Sequence, residues 1–268
     1  MYPIRIIQIK WLEKFSSSNK MSSLHHTKGI VLRSVKYGET SLVVSIFTEM
    51  FGLQQYMVNG VRTSKKNPTL HAAQLQPGSL LDLIVYYNER QTLQRIKESK
   101  QLMQHEDNFS NITRNAILLY MLELLQNCLK QPDAHAELFY FLEDILSGLY
   151  KADESQLANL PLFFTIHLSH FFGFRLMDNF SPSNQYLDLK EGQFVSSSPS
   201  HQLVIQPPLS EKVAQLLRAL QIGELGEIKL NRHQRNQLMD DLLQFYAMHI
   251  HPFMKLKSLT IIRSVLED

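Results

Sequence analysis

The sequence has little cysteine, no long apolar run and no familiar nucleotide-binding loop, and each absence excludes a class of protein. Cys128 is the single cysteine among 268 residues, which excludes an intrachain disulfide, a Cys-rich zinc site and an iron–sulfur cluster. No stretch approaches the roughly 18 consecutive apolar residues of a membrane-spanning helix, so we expect no such helix. The motifs GxxxxGK[ST], GxGxxG, HExxH and CxxC are all absent. We therefore expect no cofactor, no metal ion and no enzymatic activity.

The net charge of +2 conceals two halves of opposite sign. Residues 21–104 carry ten Lys and Arg against five Asp and Glu, whereas residues 105–268 carry thirteen against nineteen. A basic half joined to an acidic half indicates that the front part of the chain meets a polyanion.

The first twenty residues read as a separate piece. Arg5, Gln8 and Lys10 interrupt their apolar residues, so they do not form a secretory signal. We interpret 1–20 as a tail or a mis-assigned start ahead of Met21. A short amphipathic segment that binds a partner or a surface is the alternative.

Residues 21–104 have the alternating pattern of β-strands, broken by turn-forming clusters. The predicted strands are Ile30–Val35, Ser41–Phe47, Leu53–Val58, Leu80–Tyr87 and Thr92–Glu98. Five short strands in about 75 residues suit a small closed barrel, which leaves no open sheet edge. We predict an oligonucleotide-binding (OB) barrel with a short helix before the fourth strand. The periodicity alone also allows an SH3-like barrel.

From about residue 105 the period becomes that of helices, so the fold class is α+β: a five-stranded barrel followed by an all-α domain. Ser210 and Asn231 are the expected N-caps of the last two predicted helices. An irregular insert, at about 178–208, contains strand-like pieces at Tyr186–Leu189 and Phe194–Ser196. The predicted helices are Glu106–Lys130, one along Leu138–Leu149, Ser155–Phe172, Ser210–Ile222 and Asn231–His249.

Few residues of the helical half are candidates for catalysis or metal binding. His167 and His170 project on one side of a helix, but they have no nearby carboxylate, and we interpret them as core or edge histidines. Cys128 reads as a small buried hydrophobe. The pairs Glu143-Asp144 and Asp240-Asp241 read as surface charges rather than catalytic carboxylates.

The barrel carries the candidate site, because its cations converge once the strands close. Cations follow phosphates and aromatic faces accept unstacked bases, which is how single strands are bound without sequence preference. A solvated basic surface with half-buried tyrosines is the alternative for any one residue. The candidate DNA-binding residues are Lys28, Arg33, Lys36, Tyr56, Arg62, Lys65, Lys66, Tyr87, Arg90 and Arg95, with Tyr56 or Tyr87 as stacking platforms.

Four short elements in order resemble one family. Residues 27–32 read TKGIVL, 36–42 read KYGETSL, 48–53 read TEMFGL and 59–62 read NGVR. In this order and spacing, over some 35 residues, they resemble the RecO family of DNA repair proteins. The resemblance continues more loosely from residue 76 to residue 259.

The resemblance implies an N-terminal OB domain, here 21–104, and a helical domain, here 105–268. It implies binding of single- and double-stranded DNA, annealing of complementary strands, and action with RecR, and often RecF, in loading RecA onto DNA coated by single-strand-binding protein (SSB). It also implies that the helical domain binds the acidic C-terminal tail of SSB, and that the protein is cytoplasmic and associated with the nucleoid.

One departure from the family concerns zinc. Many members carry a four-cysteine zinc module in the helical domain, but the corresponding segment Asp178–Val195 has no cysteine. We therefore predict a loop held by packing of Tyr186, Leu187, Leu189 and Phe194. An OB-type RNA-binding or protein-assembly module is the alternative function, and an enzyme of unrecognised type is a third.

Overall fold

The structure, a computed structural model, describes residues 23–61, 72–103 and 111–266. Its first part is a closed barrel with the strand order β1-β2-β3-β5-β4, in which β3 and β5 are parallel. This is the Greek-key barrel of the OB fold, as predicted. A single 3-10 turn, Ala72–Leu75, precedes β4. The strands are β1 (Ser23–Tyr37), β2 (Ser41–Thr48), β3 (Gly52–Val58), β4 (Leu80–Tyr87) and β5 (Leu93–Gln101).

Alternation along the strands separates the barrel interior from its outer face. Val44 and Ile46 on β2 are fully buried, and so are Leu81 and Leu83 on β4. β1 is more than twice as long as predicted, because its first half pairs with β4 and its second half with β2. The extra residues close the barrel, and a strand pattern alone does not indicate this pairing.

The second part is helical. Residues Asn111 and Asn231 cap α1 and α5, and the latter is the predicted N-cap. Ser210 is not the cap that we predicted: α4 begins one residue before it, and the Ser210 hydroxyl donates to the Gln185 carbonyl. The sequence analysis also missed the last helix. The helices are α1 (Ile112–Cys128), α2 (Ala136–Lys151), α3 (Glu154–Ser169), α4 (Leu209–Arg218), α5 (Arg232–His249) and α6 (Ser258–Val265).

The cysteine-free insert forms a small antiparallel sheet of β6 (Tyr186–Asp188), β7 (Gln193–Val195) and β8 (Val204–Ile205). Leu187, Leu189 and Phe194 are buried against the helices, as predicted, and Tyr186 is half-buried. Packing therefore holds this segment, and β8 is the part that the sequence analysis missed.

One hydrophobic cluster joins the barrel to the helices. Ile30, Leu32 and Phe47 of the barrel are buried in the same cluster as the residues of α1 and α2. The ring centroids of Phe47 and Phe139 lie 6.2 Å apart. Outside this cluster, Arg33, Val35 and Tyr37 of β1 are exposed. No helix in the described part of the chain is long and apolar enough to cross a membrane.

Candidate nucleic-acid interface

A polar row crosses the outer face of the barrel on three neighbouring strands and ends at a leucine on the fourth. Arg33 on β1 lies opposite Ser45, Ser45 opposite Gln55, and Gln55 opposite Leu93. The Ser45 hydroxyl donates to Gln55 Oε1 at 3.0 Å. The row crosses β2 and β3, the strands whose outer face binds oligonucleotides in OB folds. Its guanidinium, hydroxyl and amide groups are suited to phosphate and sugar oxygens.

The last two residues of β1, on the same strand as Arg33, are a cation and an aromatic ring. Lys36 is exposed, and Tyr37 next to it is 59% exposed. Tyr37 therefore offers a ring face to an unstacked base, which the sequence analysis missed. The sequence analysis named Lys36 as a candidate DNA-binding residue but not the tyrosine next to it.

The turn between β4 and β5 holds Arg90 on a rigid support. Gln94 is buried, and its amide donates to the carbonyls of Asn88 at 2.9 Å and Gln91 at 2.6 Å. The backbone N–H of Arg90 donates to Asn88 Oδ1 at 3.0 Å. The turn is thus fixed, and the exposed guanidinium of Arg90 stands above it.

Tyr87 belongs to an aromatic cluster at the same end of β4. Its ring stacks on Phe51 with centroids 4.0 Å apart and an interplanar angle of 15°, and His25 meets Phe51 edge-on at 5.1 Å. Tyr87 is half-buried, because one ring face is already covered. A base that stacked on its other face would extend an existing stack.

Tyr56 does not fit the stacking role that we predicted. It is fully buried in the barrel core, and its hydroxyl has no hydrogen-bond partner among the described residues. Burial raises the pKa of that hydroxyl. Tyr56 lies on the inward face of β3, one residue from Gln55, so the prediction that it presents its ring to DNA is wrong.

Lys28 has a structural role that the sequence did not reveal. Its ammonium lies 2.9 Å from Glu143 Oε1 on α2, so the cation is neutralised within the protein. Glu143, which we interpreted as a surface charge, is the partner in this contact between the two parts of the chain.

The remaining predicted cations fall into two groups. Arg95 is exposed on β5, but Tyr86 and Met57 are its cross-strand neighbours rather than other cations. Arg62, Lys65 and Lys66 lie outside the described residues.

Of the His and Cys side chains that the sequence analysis singled out in the helical half, Cys128 is buried, His167 is partly buried and His170 is exposed. No group of three or more His, Cys, Asp and Glu side chains among the described residues of this half could hold a metal ion. A ring nitrogen of His167 lies 3.1 Å from the Leu216 carbonyl, and burial lowers the pKa of that ring. Cys128 is buried, and burial raises the pKa of its thiol.

The fold and its outer face are typical of the OB-fold class of nucleic-acid-binding proteins. Two family models match: Recombination protein O N terminal at residues 21–104 and Recombination protein O C terminal at 110–260. The chain therefore belongs to the Recombination protein O family, as the motif order predicted.

Curated relatives agree with the family models over most of the chain. A DNA repair protein RecO of Azobacteroides pseudotrichonymphae is 29% identical over 245 residues, which are 91% of this chain and 100% of that protein. The DNA repair protein RecO of Bacteroides fragilis is 28% identical over 246 residues, which are 91% of this chain and 100% of that protein. The one from Flavobacterium johnsoniae is 29% identical over 241 residues, with 89% and 98% coverage.

Proposed function

We propose that this chain is a non-enzymatic mediator of DNA repair and homologous recombination. It binds single- and double-stranded DNA, anneals complementary strands, and helps to load RecA onto SSB-coated DNA together with RecR and RecF. It acts in the cytoplasm, at the nucleoid. Membership of the Recombination protein O family and the names of the relatives support this role.

The observation that carries DNA binding is the polar row on the outer face of the barrel. Arg33, Ser45 and Gln55 cross three strands, Lys36 lies at the end of β1, and Arg90 lies in the β4–β5 turn. We expect all of them to contact backbone oxygens of the DNA. Successive strands lie about 4.8 Å apart, so the row spans more than one phosphate of an extended strand. The basic loop with Arg62, Lys65 and Lys66 adds to this set.

The absence of aromatic side chains at the centre of the outer face of the barrel supports a role in annealing. The outward side chains of β2 and β3 near the row are Val43, Ser45, Gln55 and Met57, none of them aromatic. A strand held there is held by its phosphates, and its base edges stay free to pair. Neutralisation of the phosphates lowers the repulsion between two strands, while Tyr37 and Tyr87 stack bases only at the ends of the face.

The helical domain supplies a place for the acidic tail of SSB. A small groove between α3, α5 and α6 is lined by apolar side chains, among them Leu259 and Ile262, and by three arginines, of which Arg263 also pairs with Asp240. This combination fits a peptide that carries carboxylates and an apolar side chain. The rim arginines are Arg232, Arg235 and Arg263.

The experiment measures binding of a fluorescent single-stranded oligonucleotide across a salt series. Each phosphate contact contributes about −0.7 to the log–log slope, so three to six contacts give a slope of roughly −2 to −4. The double variant Arg33→Glu/Lys36→Glu lowers affinity and flattens the slope by about 1.4. The double variant Lys65→Glu/Lys66→Glu tests the basic loop in the same way.

Lys190→Glu/Lys255→Glu is the matched control, because it changes the net charge equally at exposed positions of the helical domain. Equal slopes for the barrel and control variants would place DNA elsewhere. Equal or stronger binding of structured RNA, or no nucleic-acid binding with a tight protein partner, would favour the alternative of an RNA-binding or assembly module.

A further inference from the structure

The small groove between α3, α5 and α6 has little room left in it. The space that remains is about 30 Å³, which holds about two water molecules. Leu259, Ile262 and Leu266 line the groove, and their spacing of three and four residues places them on one face of α6 and its C-terminal end. An apolar side chain of a peptide needs more space than this, so one of these residues must first leave the groove.

Leu266 is the residue of this set that leaves most easily. It is half-buried and lies one residue beyond α6, whereas Ile262 is only 3% exposed. The N–H of Leu266 donates to the Ile262 carbonyl at 3.1 Å, so Leu266 extends the last turn of the helix. Because Glu123 fixes the opposite end of α6, this last turn can fray while the rest of the helix stays docked.

Two acidic residues, Glu267 and Asp268, follow Leu266 directly in the sequence. Arg232 and Arg235 of α5 line the same groove as Leu266. Consecutive Cα atoms are about 3.8 Å apart, so the two carboxylates come within reach of these guanidinium groups while Leu266 is in place. Pairs of arginine and carboxylate form strong, charge-assisted hydrogen bonds.

The arginines of the groove favour carboxylates of the chain itself. Arg263 pairs with Asp240 of α5. Arg235 is half-buried, its Nη1 donates to the Leu230 carbonyl at 2.7 Å, and burial lowers the pKa of its guanidinium. A cation that has lost part of its hydration is stabilised by a neighbouring carboxylate. The groove therefore attracts the acidic pair that follows α6 in the way that Arg263 attracts Asp240.

We infer that residues 266–268 are an internal ligand of this groove: Leu266 fills it, and Glu267 and Asp268 bind Arg232 and Arg235. This segment combines an apolar side chain with carboxylates, as does the peptide assigned to the groove above, so the two compete. The inference rests on the proposed function in this respect, because the competing peptide is the tail of SSB. The apparent affinity for the tail is then its intrinsic affinity multiplied by the fraction of chains whose groove is open.

The first experiment measures the affinity of the full chain for a fluorescent peptide with the acidic C-terminal sequence of SSB. Glu267→Gln/Asp268→Asn keeps the shape of both side chains and removes their charges. We expect the dissociation constant to fall about threefold or more, because the internal ligand no longer holds the arginines. Glu191→Gln/Asp144→Asn is the matched control, because it removes the same charges from exposed positions of the helical domain, and it leaves the affinity unchanged.

The second experiment needs no peptide. Carboxypeptidase Y removes residues 268 and 267 from the full chain, and mass spectrometry follows the rate. Proteolysis of this kind tracks the population of the open form, so we expect Arg232→Gln to raise the rate about threefold or more over the wild type. Arg175→Gln, at an exposed position of the same domain, is the matched control and leaves the rate unchanged.

Equal removal rates in the wild type and Arg232→Gln overturn the inference. So does an unchanged affinity of Glu267→Gln/Asp268→Asn for a peptide that the wild type binds. Protection that rises with protein concentration also overturns it, and assigns the segment to the groove of a second copy. If the peptide binds neither the wild type nor the acidic-pair variant, the proposed SSB contact fails, and the removal rates alone decide whether the groove holds residues 266–268.

Discussion

The Lys28 ammonium lies 2.9 Å from Glu143 Oε1, and this pair connects β1 of the barrel with α2 of the helical domain across 115 positions of sequence. Close by, the Tyr140 hydroxyl on α2 donates to Glu49 in the β2–β3 turn. These polar contacts border the apolar cluster that the two parts share. They fix the side of the barrel that faces the helices.

The first prediction separates this contact from DNA binding. Lys28→Ala lowers the free energy of unfolding by about 0.5–1 kcal/mol, because the pair is only partly shielded from water. The same variant leaves the DNA affinity and its salt slope unchanged, whereas Arg33→Ala weakens binding. Denaturant unfolding and oligonucleotide titration measure the two effects. A flattened salt slope in Lys28→Ala would restore Lys28 to the DNA site.

The second prediction concerns a close approach at Gly52. Its φ is +62°, and a Cβ there would lie 2.1 Å from the Asp133 carbonyl oxygen. Gly38 has nearly the same φ, +60°, with no atom within 4 Å of a Cβ position. Gly38→Ala therefore costs about 1–2 kcal/mol from its backbone conformation alone.

Gly52→Ala adds a steric clash with backbone to the same conformational cost, so it lowers the melting temperature much further and disturbs the docking of the barrel on the helices. Thermal denaturation of both variants gives the comparison. Similar melting temperatures for the two variants would show that the Asp133 backbone can move away from a Cβ at position 52 without a measurable loss of stability.

The third prediction is a pH dependence at Asp241. Burial, with a smaller effect of Asp240, raises the pKa of this carboxyl to about 6 from an ordinary 3.8. The folded protein therefore holds a proton that the unfolded chain releases, and it loses stability as the pH rises from about 4 through 6. Above pH 6 the carboxylate is charged in the folded protein, and the free energy of unfolding is lowered by the full amount.

Asp241→Asn removes the partly buried charge. We therefore expect the variant to be more stable than the wild type at pH 8 and equal to it near pH 4. Unfolding curves at several pH values test this. Asp144→Asn on α2 is the control, because Asp144 is exposed and does not contribute to the raised pKa of Asp241. A constant difference across pH would exclude titration of Asp241 as the cause.

The fourth prediction concerns the cap of α6. The Glu123 carboxylate on α1 accepts hydrogen bonds from the backbone N–H of Lys257 at 2.9 Å and of Ser258 at 2.8 Å, and from the Ser258 hydroxyl. Burial opposes its ionisation, but the bonds from Ser258 and Lys257 outweigh burial and lower the pKa. This stabilisation is present above pH 4.5 and is lost as the pH falls through the lowered pKa.

Glu123→Gln lowers the free energy of unfolding at pH 7 by about 1–2 kcal/mol, because the cap loses its charge-assisted hydrogen bonds. The difference from the wild type shrinks below pH 4.5. If the difference in the free energy of unfolding were as large at pH 3.5 as at pH 7, the shape of the Glu123 side chain rather than its charge would account for the stabilisation.

The fifth prediction tests the groove between α3, α5 and α6. Arg232→Glu at its rim reverses an exposed charge, and we expect about a tenfold lower affinity for a fluorescent peptide with the acidic C-terminal sequence of SSB. Fluorescence anisotropy measures the affinity. Arg175→Glu, on the same domain, is the control, and an equal loss in both variants would mean that the peptide responds to overall charge.

Much of the fold follows from local pattern. Alternation along Ser41–Phe47 and Leu80–Tyr87 determined the strands, because each has one buried face, and Asn231 marked the start of α5 by its capping side chain. α6 was missed, since its N-terminus is capped by Glu123 from a distant helix rather than by a residue of its own. Such a contact leaves no mark in the neighbouring sequence.

By itself, the sequence determined most of the strand and helix segments, the basic character of the barrel and, through four ordered motifs, the family. Only the tertiary structure decided which cations and rings face outward. Tyr56 and Tyr37 look alike in a sequence, but barrel closure buries the first and exposes the second. Lys28 and Arg33 share one strand, yet only Lys28 meets a carboxylate of the helical domain. Accessibility and ion pairing depend on residues far apart in the chain, and local periodicity carries no information about them.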